Sequence, residues 1–173
     1  MKTELLFNSY VISNRVSSIA DQITIDFYKT ELIIICVLKG AIHFTSDLVR
    51  RINSVDCILD FIRISSYGSE TSSSGKIKLI KDLENDIKGK NVLIVDDILD
   101  TGLSLNYLVK HLKEREPKDI KTCVLLDKSD RRKYNIKADY VGFEIDNEFV
   151  IGYGLDYKEK LRELPDIYLV KEL

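Results

Sequence analysis

The chain has 173 residues, 45% of them hydrophobic and 31% charged, with 26 Lys and Arg against 28 Asp and Glu for a net charge of −2. That length predicts a single domain over residues 1–173 that buries roughly 70% of its unfolded surface, and the composition excludes disordered, collagen-like and low-complexity chains. The basic excess of a dominant nucleic-acid binder is missing, so no nucleic acid is expected as a partner.

The first ten residues, MKTELLFNSY, contain no signal-peptide core. Ile12, Val16, Ile19, Ala20, Ile23 and Phe27 recur at helical spacing and predict an amphipathic helix, with Ser13 or Asn14 near its cap. Leu32–Leu38 is a short unbroken apolar run, the mark of a strand covered on both faces. It is the longest such run and falls far short of the ~20 residues of a membrane helix, so no membrane association is expected. Lys39-Gly40 interrupts it, and a second helical pattern follows through Phe44, Leu48 and Ile52. Val55–Ile64 reads as a strand, and Ser65–Lys76 as a polar, Ser- and Gly-rich excursion of the kind that forms lids and binding loops.

Asn91–Val95 predicts another buried strand, running through Asp96–Gly102 into a helix marked by Leu105, Leu108, Val109 and Leu112. Pro117 stops that helix, and Thr122–Leu126 is a fourth strand. Strands alternating with helices imply right-handed crossovers and an α/β fold with a mainly parallel central sheet flanked by helices. Beyond Val141 the short pieces VGFEI, FVIGYG and IYLV predict a small hood beside that sheet. Cys36, Cys57 and Cys123 each lie in apolar runs without C-x-x-C spacing, which reads as reduced thiols and a cytoplasmic protein. His43 and His111 fall in helical patterns with no partner cluster.

The strongest chemical signal is the run Val92 to Ser104, VLIVDDILDTGLS. Asp96, Asp97 and Asp100 crowd the carboxyl end of a predicted buried strand, where open α/β sheets bind ligands. Their mutual repulsion is offset only if a cation, sugar hydroxyls or a transferred proton meets them. Thr101, Gly102, Leu103 and Ser104 then open a helix, where unpaired N–H groups and two hydroxyls can wrap an anion. A phosphate-binding P-loop is excluded, because the spacing from Gly68 to Lys76 is wrong and Ile77 follows the lysine; no G-x-G-x-x-G follows a strand either.

VLIVDDILDTGLSL resembles the phosphoribosyl-diphosphate (PRPP) motif of type I phosphoribosyltransferases. The resemblance extends over nearly the whole chain. Val37-Leu38-Lys39-Gly40 is similar to the family's pyrophosphate loop, and Asp60-Phe61-Ile62-Arg63 with Ser66-Tyr67 to the lead into its catalytic loop. Leu125–Lys128, Val141–Ile145, Phe149–Tyr157 and Arg162–Pro165 are similar to the purine-binding end of the hypoxanthine-guanine branch. Two positions depart from the pattern: Asp96 stands where Glu is frequent and Ser104 where Thr is frequent.

The resemblance implies Mg²⁺-dependent transfer of 5-phosphoribosyl from PRPP to a 6-oxopurine, hypoxanthine or guanine, with release of pyrophosphate. It implies that Thr101–Ser104 hold the 5-phosphate and that Asp96 and Asp97 meet the ribose hydroxyls, directly or beside Mg²⁺, with Asp156 as a further metal candidate. Lys39, Gly40 and Arg162 are implied for pyrophosphate, and Asp100 as proton acceptor at purine N7. Lys128, Phe149, Val150 and Asp156 are implied around the base, with Ser66 and Tyr67 on the lid. A homodimer or homotetramer is also implied. Two rivals are a PRPP- or nucleotide-sensing regulator, favoured only by the basic run Lys128–Lys133, and a pyrimidine-specific transferase.

Overall fold

The alternation of apolar runs and helical patterns builds a six-stranded sheet with helices on both faces. The structure, a computed structural model, describes residues 1–67 and 76–172. Its elements are β1 (Lys2–Phe7), α1 (Ser9–Asp26), β2 (Glu31–Leu38), α2 (Ile42–Val49), β3 (Asp56–Tyr67), β4 (Lys76–Lys81), β5 (Asn91–Leu99), α3 (Leu103–Lys113), β6 (Asp119–Asp127), β7 (Tyr140–Glu144), β8 (Val150–Ile151) and β9 (Ile167–Glu172). The main sheet has the order β4-β3-β2-β5-β6-β7, parallel except for the β3–β4 pair.

The unbroken apolar run of β2 has the expected cause. Leu32 and Ile34 enter a core with Ile12, Val16, Ile19 and Ile23 of α1, whereas Ile33, Ile35 and Val37 meet Leu105, Leu108 and Leu112 of α3. A strand buried on both sides has no solvent face on which polar residues can alternate.

Several boundaries differ from the sequence expectation. Helix α1 begins before Ser13 and Asn14, because Asn8 is its N-cap and accepts a hydrogen bond from Val11 N at 2.9 Å. Tyr10 and Val11 on the first turn are exposed, so the apolar spacing starts late. α2 ends at Val49, ahead of Ile52. β5 continues to Leu99 and therefore carries Asp96 and Asp97 within the strand. β3 extends through Ser66 and Tyr67, whose backbones pair with Ile77 and Lys76 of β4, so the ends of the Ser65–Lys76 excursion are strand; residues 68–75 lie outside the described residues.

VGFEI is not part of the hood. It forms β7, the edge of the main sheet beside β6. Gly142 makes that approach feasible, since a Cβ there would lie 2.3 Å from Leu125 O. Arg15 of α1 donates to Val141 O at 2.6 Å and Gly142 O at 2.7 Å, tying the helix to this strand. The hood is an antiparallel sheet of order β1-β9-β8, to which the N-terminal segment contributes β1, a strand the sequence did not signal. Phe7 stacks on Phe143 with ring centroids 4.1 Å apart and ties hood to main sheet.

Candidate active site

Three segments far apart in the chain meet at the carboxyl ends of β2 and β5. The turn after β2 contains a cis Leu38–Lys39 peptide and brings Gly40 against Asp97. A Cβ at Gly40 would fall 1.6 Å from Asp97 Oδ2, so only glycine allows this packing. On its other side, Gly154 follows β8 with φ +101°, and a Cβ there would fall 2.0 Å from Gly40 O. The pyrophosphate-loop residue predicted from sequence is thus wedged between the acidic strand end and the hood.

Asp96 is buried, and Asp97 N donates to Asp96 Oδ1 at 3.0 Å. Burial, then the neighbouring Asp97 charge, push the Asp96 carboxyl well above its ordinary range. Burial raises Asp97 as well, opposed by contacts that include the nearby Arg162 guanidinium. Two carboxyls held this way invite a shared proton, sugar hydroxyls or a cation. Asp156 stands apart from them: its Oδ1 pairs with Arg162 Nη2 at 2.8 Å and its Oδ2 accepts from Glu159 N at 2.8 Å. Among the described residues no group of three His, Cys, Asp or Glu forms a metal cage. The adjacent Asp96 and Asp97 carboxylates are of the kind Mg²⁺ takes, one or two at a time, with water and phosphate oxygens completing its shell.

Asp100 follows β5. One carboxylate oxygen faces Arg131 Nη1 at 3.3 Å, while Oδ1 is buried without a hydrogen-bond partner among the described residues. A buried unpaired carboxylate oxygen costs free energy and suits an atom that receives a proton from a ligand. Next to it, Gly102 takes φ +86° as the N-cap of α3. At the start of α3 the Thr101 Oγ1 accepts from Leu103 N at 3.3 Å, and no acidic residue stands in the first turn. The leading N–H groups and the Thr101 and Ser104 hydroxyls form a positive-ended cradle. Lys133 N and Tyr134 N both donate to Thr101 O, at 2.9 and 3.2 Å, and hold this turn against the segment after β6.

Lys128 lies at the end of β6, only 6% exposed, with its N–H donating to Leu99 O at 2.9 Å. Burial lowers its pKa, while the Asp100 charge opposes that shift. This is not the solvated end of a basic run. Arg131 faces Asp100, and Arg132 forms a close, mostly buried ion pair with Asp127. Two cations that would favour a nucleic-acid surface are therefore engaged within the fold. Phe149 is 48% exposed and meets Tyr157 edge-on at 6.1 Å, so its ring is available for stacking, whereas Val150 is buried in β8.

Lys39 and Arg162 are joined by a residue the sequence did not single out. Lys39 Nζ contacts Glu159 Oε2 at 2.5 Å, and Arg162 Nη2 lies 3.6 Å from Glu159 Oε1. Arg162 Nη1 also donates to Gly154 O at 2.7 Å. Asp60, in the family-like DFIR stretch, has another role: its buried carboxylate accepts from Phe61 N, Glu84 N, Asn85 N and Asn85 Nδ2. Burial would raise its pKa, but those hydrogen bonds hold it below the ordinary value. Asp60 fixes the chain returning from β4. His111, expected to lack partners, stacks on Tyr107 and lies 3.6 Å from Asp82 Oδ1; His43 is exposed. Two cavities of about 310 and 280 Å³ include none of the predicted site residues. The nearest signals for Glu159 and Arg131 are charge at an unexpected turn and a basic run, neither specific.

A family model for the phosphoribosyl transferase domain matches residues 7–158. Hypoxanthine-guanine phosphoribosyltransferase of Aquifex aeolicus is 44% identical over 172 residues, covering 99% of this chain and 96% of that protein. A crystal structure of hypoxanthine-guanine phosphoribosyltransferase from Bacillus anthracis, with HEPES in its active site, superposes with a TM-score of 0.92 at 46% identity, covering 96% of this chain and 98% of that one. Hypoxanthine phosphoribosyltransferase of Trypanosoma cruzi, studied for the role of its C-terminal region in oligomeric state and activity, gives a TM-score of 0.91 at 42% identity, with coverages of 97% and 91%.

Proposed function

The chain belongs to the phosphoribosyl transferase family, and from that premise we infer that it is a purine-salvage enzyme transferring 5-phosphoribosyl from PRPP to hypoxanthine or guanine. The ribosyl–oxygen bond to pyrophosphate breaks, a bond to a purine ring nitrogen forms, and IMP or GMP leaves with pyrophosphate. One observation carries the assignment of roles: Lys128 N is bonded to Leu99 O, which ties a buried lysine to the strand end that also presents Asp96, Asp97 and Asp100. The same junction thereby offers acceptors for a sugar, an acceptor for a proton and a donor for a carbonyl.

In this reading the 5-phosphate rests on Thr101–Ser104 at the start of α3. Asp96 and Asp97 accept hydrogen bonds from the ribose hydroxyls, which relieves their mutual repulsion. The Oδ1 of Asp100, buried and without a hydrogen-bond partner among the described residues, takes the proton at purine N7; positioned proton transfer of this kind is worth about 10²–10⁴-fold in rate. Lys128 donates to the 6-oxo group, Phe149 stacks on the ring and the Val150 backbone reads its edge. Lys39, Gly40 and Arg162 receive the leaving pyrophosphate. Asp96, Asp97 and Asp156 are the carboxylates available to Mg²⁺, which when bound neutralises charge on the phosphate oxygens.

Free Cys36, Cys57 and Cys123 suit a reducing compartment and support a cytoplasmic location, and no helix among the described residues is long and apolar enough to cross a membrane. A homodimer or homotetramer is the proposed assembly, in keeping with the interest in oligomeric state attached to the Trypanosoma cruzi relative. The test is product formation from PRPP with hypoxanthine, guanine and xanthine separately, with and without Mg²⁺. IMP and GMP formation dependent on the metal is expected; no nucleotide from either of the first two bases overturns the assignment.

A further inference from the structure

The segment after Asp156 carries two consecutive non-glycine residues in left-handed backbone. Tyr157 and Lys160 exchange backbone hydrogen bonds of 3.0 and 3.1 Å, closing a two-residue turn whose central residues, Lys158 and Glu159, have φ of +50° and +66°. Such a turn ordinarily uses Asn-Gly, because left-handed backbone penalises a Cβ. The two side chains leave in different directions. Lys158 Nζ lies over the Tyr157 ring at 5.3 Å from its centroid, whereas the Glu159 carboxylate reaches back between Lys39 Nζ at 2.5 Å and Arg162 Nη2 at 3.6 Å. The Lys39 ammonium accordingly holds the Glu159 carboxyl below its ordinary pKa. Strained residues concentrate where the strain positions something, and here it positions one carboxylate across two cations that lie far apart in the sequence.

We propose that Glu159 is a positioning residue that stands in for pyrophosphate: it holds Lys39 and Arg162 in place, competes with the polyanion for them, and recaptures them as pyrophosphate leaves. This deepens the assignment of Lys39 and Arg162 to pyrophosphate and rests on it. Glu159 touches neither the ribose nor the base; it acts through the two cations. A carboxylate sharing both must be displaced when PRPP binds and repels the phosphates that displace it. PRPP and pyrophosphate are therefore held less tightly than the cations alone would hold them, and product release is faster. Exposed ion pairs are individually weak, so removing this competitor from two cations strengthens pyrophosphate binding by about threefold to tenfold.

The experiment is steady-state kinetics on the full chain with Glu159→Gln, Glu159→Gly and Lys39→Ala. Glu159→Gln keeps the shape and removes the charge. It is expected to lower both the inhibition constant of pyrophosphate and KM for PRPP by about threefold to tenfold, to lower kcat to the extent that release limits turnover, and to leave KM for the base unchanged. Glu159→Gly suits the positive φ, so it is expected to give the same kinetic change with an unchanged or higher Tm, separating charge from fold. Lys39→Ala is expected to weaken pyrophosphate binding, and adding Glu159→Gln to it to have a smaller effect than in the wild-type background. If Lys39→Ala weakens pyrophosphate but both Glu159 variants leave it within twofold, Glu159 is an ordinary surface ion pair and the proposal fails alone. If Lys39→Ala leaves PRPP and pyrophosphate unaffected, the assignment of Lys39 fails and the proposal falls with it.

Discussion

The two sheets bring different material to the proposed active site. The strand end of β5 and the start of α3 supply Asp96, Asp97, Asp100 and the Thr101–Ser104 cradle from one continuous stretch, buttressed on both faces by packed helices. The hood and the turns that follow it supply Phe149, Val150, Asp156, Glu159 and Arg162 from a three-stranded sheet and tight turns with several positive-φ residues. In the proposed reading the first region handles charge and the proton, and the second adjusts affinity for the flat base and for the leaving anion. Substitutions on the β5 side should damage the chemical step or PRPP binding, and substitutions on the hood side should shift affinities one substrate at a time.

The largest effect is expected at Asp100. Asp100→Asn is nearly isosteric and leaves the cradle intact, so PRPP affinity should change little while kcat falls by ~10² or more; single-turnover rates with each base check this. Gly40→Ala comes next. Its Cβ would overlap Asp97 Oδ2, displacing that carboxylate from its place beside the β2 turn, and KM for PRPP should rise by about tenfold or more with little change in stability. Lys128→Ala removes a charged donor, worth about 1.5–3 kcal/mol, and should weaken base binding by roughly tenfold to more than a hundredfold with PRPP unaffected. Phe149→Leu keeps apolar bulk but loses the stacking face, for an expected loss of about threefold to tenfold in base affinity.

The smallest effect concerns stability. Burial raises the carboxyls of both Asp96 and Asp97 above their ordinary value of 3.8, and the Asp97 charge raises Asp96 further. The folded state then holds protons more tightly than the unfolded chain, so this pair's contribution is fully present below the ordinary value and is lost as pH rises through the raised folded values. Asp96→Asn removes one charge and should flatten this dependence, raising stability near neutral pH by about 1 kcal/mol while weakening PRPP. Thermal unfolding of both proteins across the acidic range measures it.

Legibility in the sequence follows the same division. β2 was readable because burial on both faces leaves a run without polar residues, and the acidic strand end was readable because three carboxylates and a helix start adjoin in the chain. β1 was hidden: KTELLF pairs only with β9 at the opposite end of the chain, and its exposed residues break any apolar pattern. β7 looked like a hood strand because its place beside β6 depends on Gly142 and Arg15, contacts that spacing does not reveal. The role of Glu159 arises from positive φ at non-glycine residues, and the engagement of Arg131 and Arg132 from ion pairs to Asp100 and Asp127; in one dimension each is only a charge among charges.

The most direct test of the division between a group that performs the chemistry and groups that hold the substrates is one matrix of measurements: kcat and KM for PRPP and for hypoxanthine in the wild type, Asp100→Asn, Gly40→Ala and Lys128→Ala. Asp100→Asn is expected to lower kcat alone, Gly40→Ala to raise KM for PRPP, and Lys128→Ala to raise KM for hypoxanthine with PRPP unchanged. A Lys128→Ala enzyme that loses PRPP and hypoxanthine affinity equally, or an Asp100→Asn enzyme with unchanged turnover, would contradict that division.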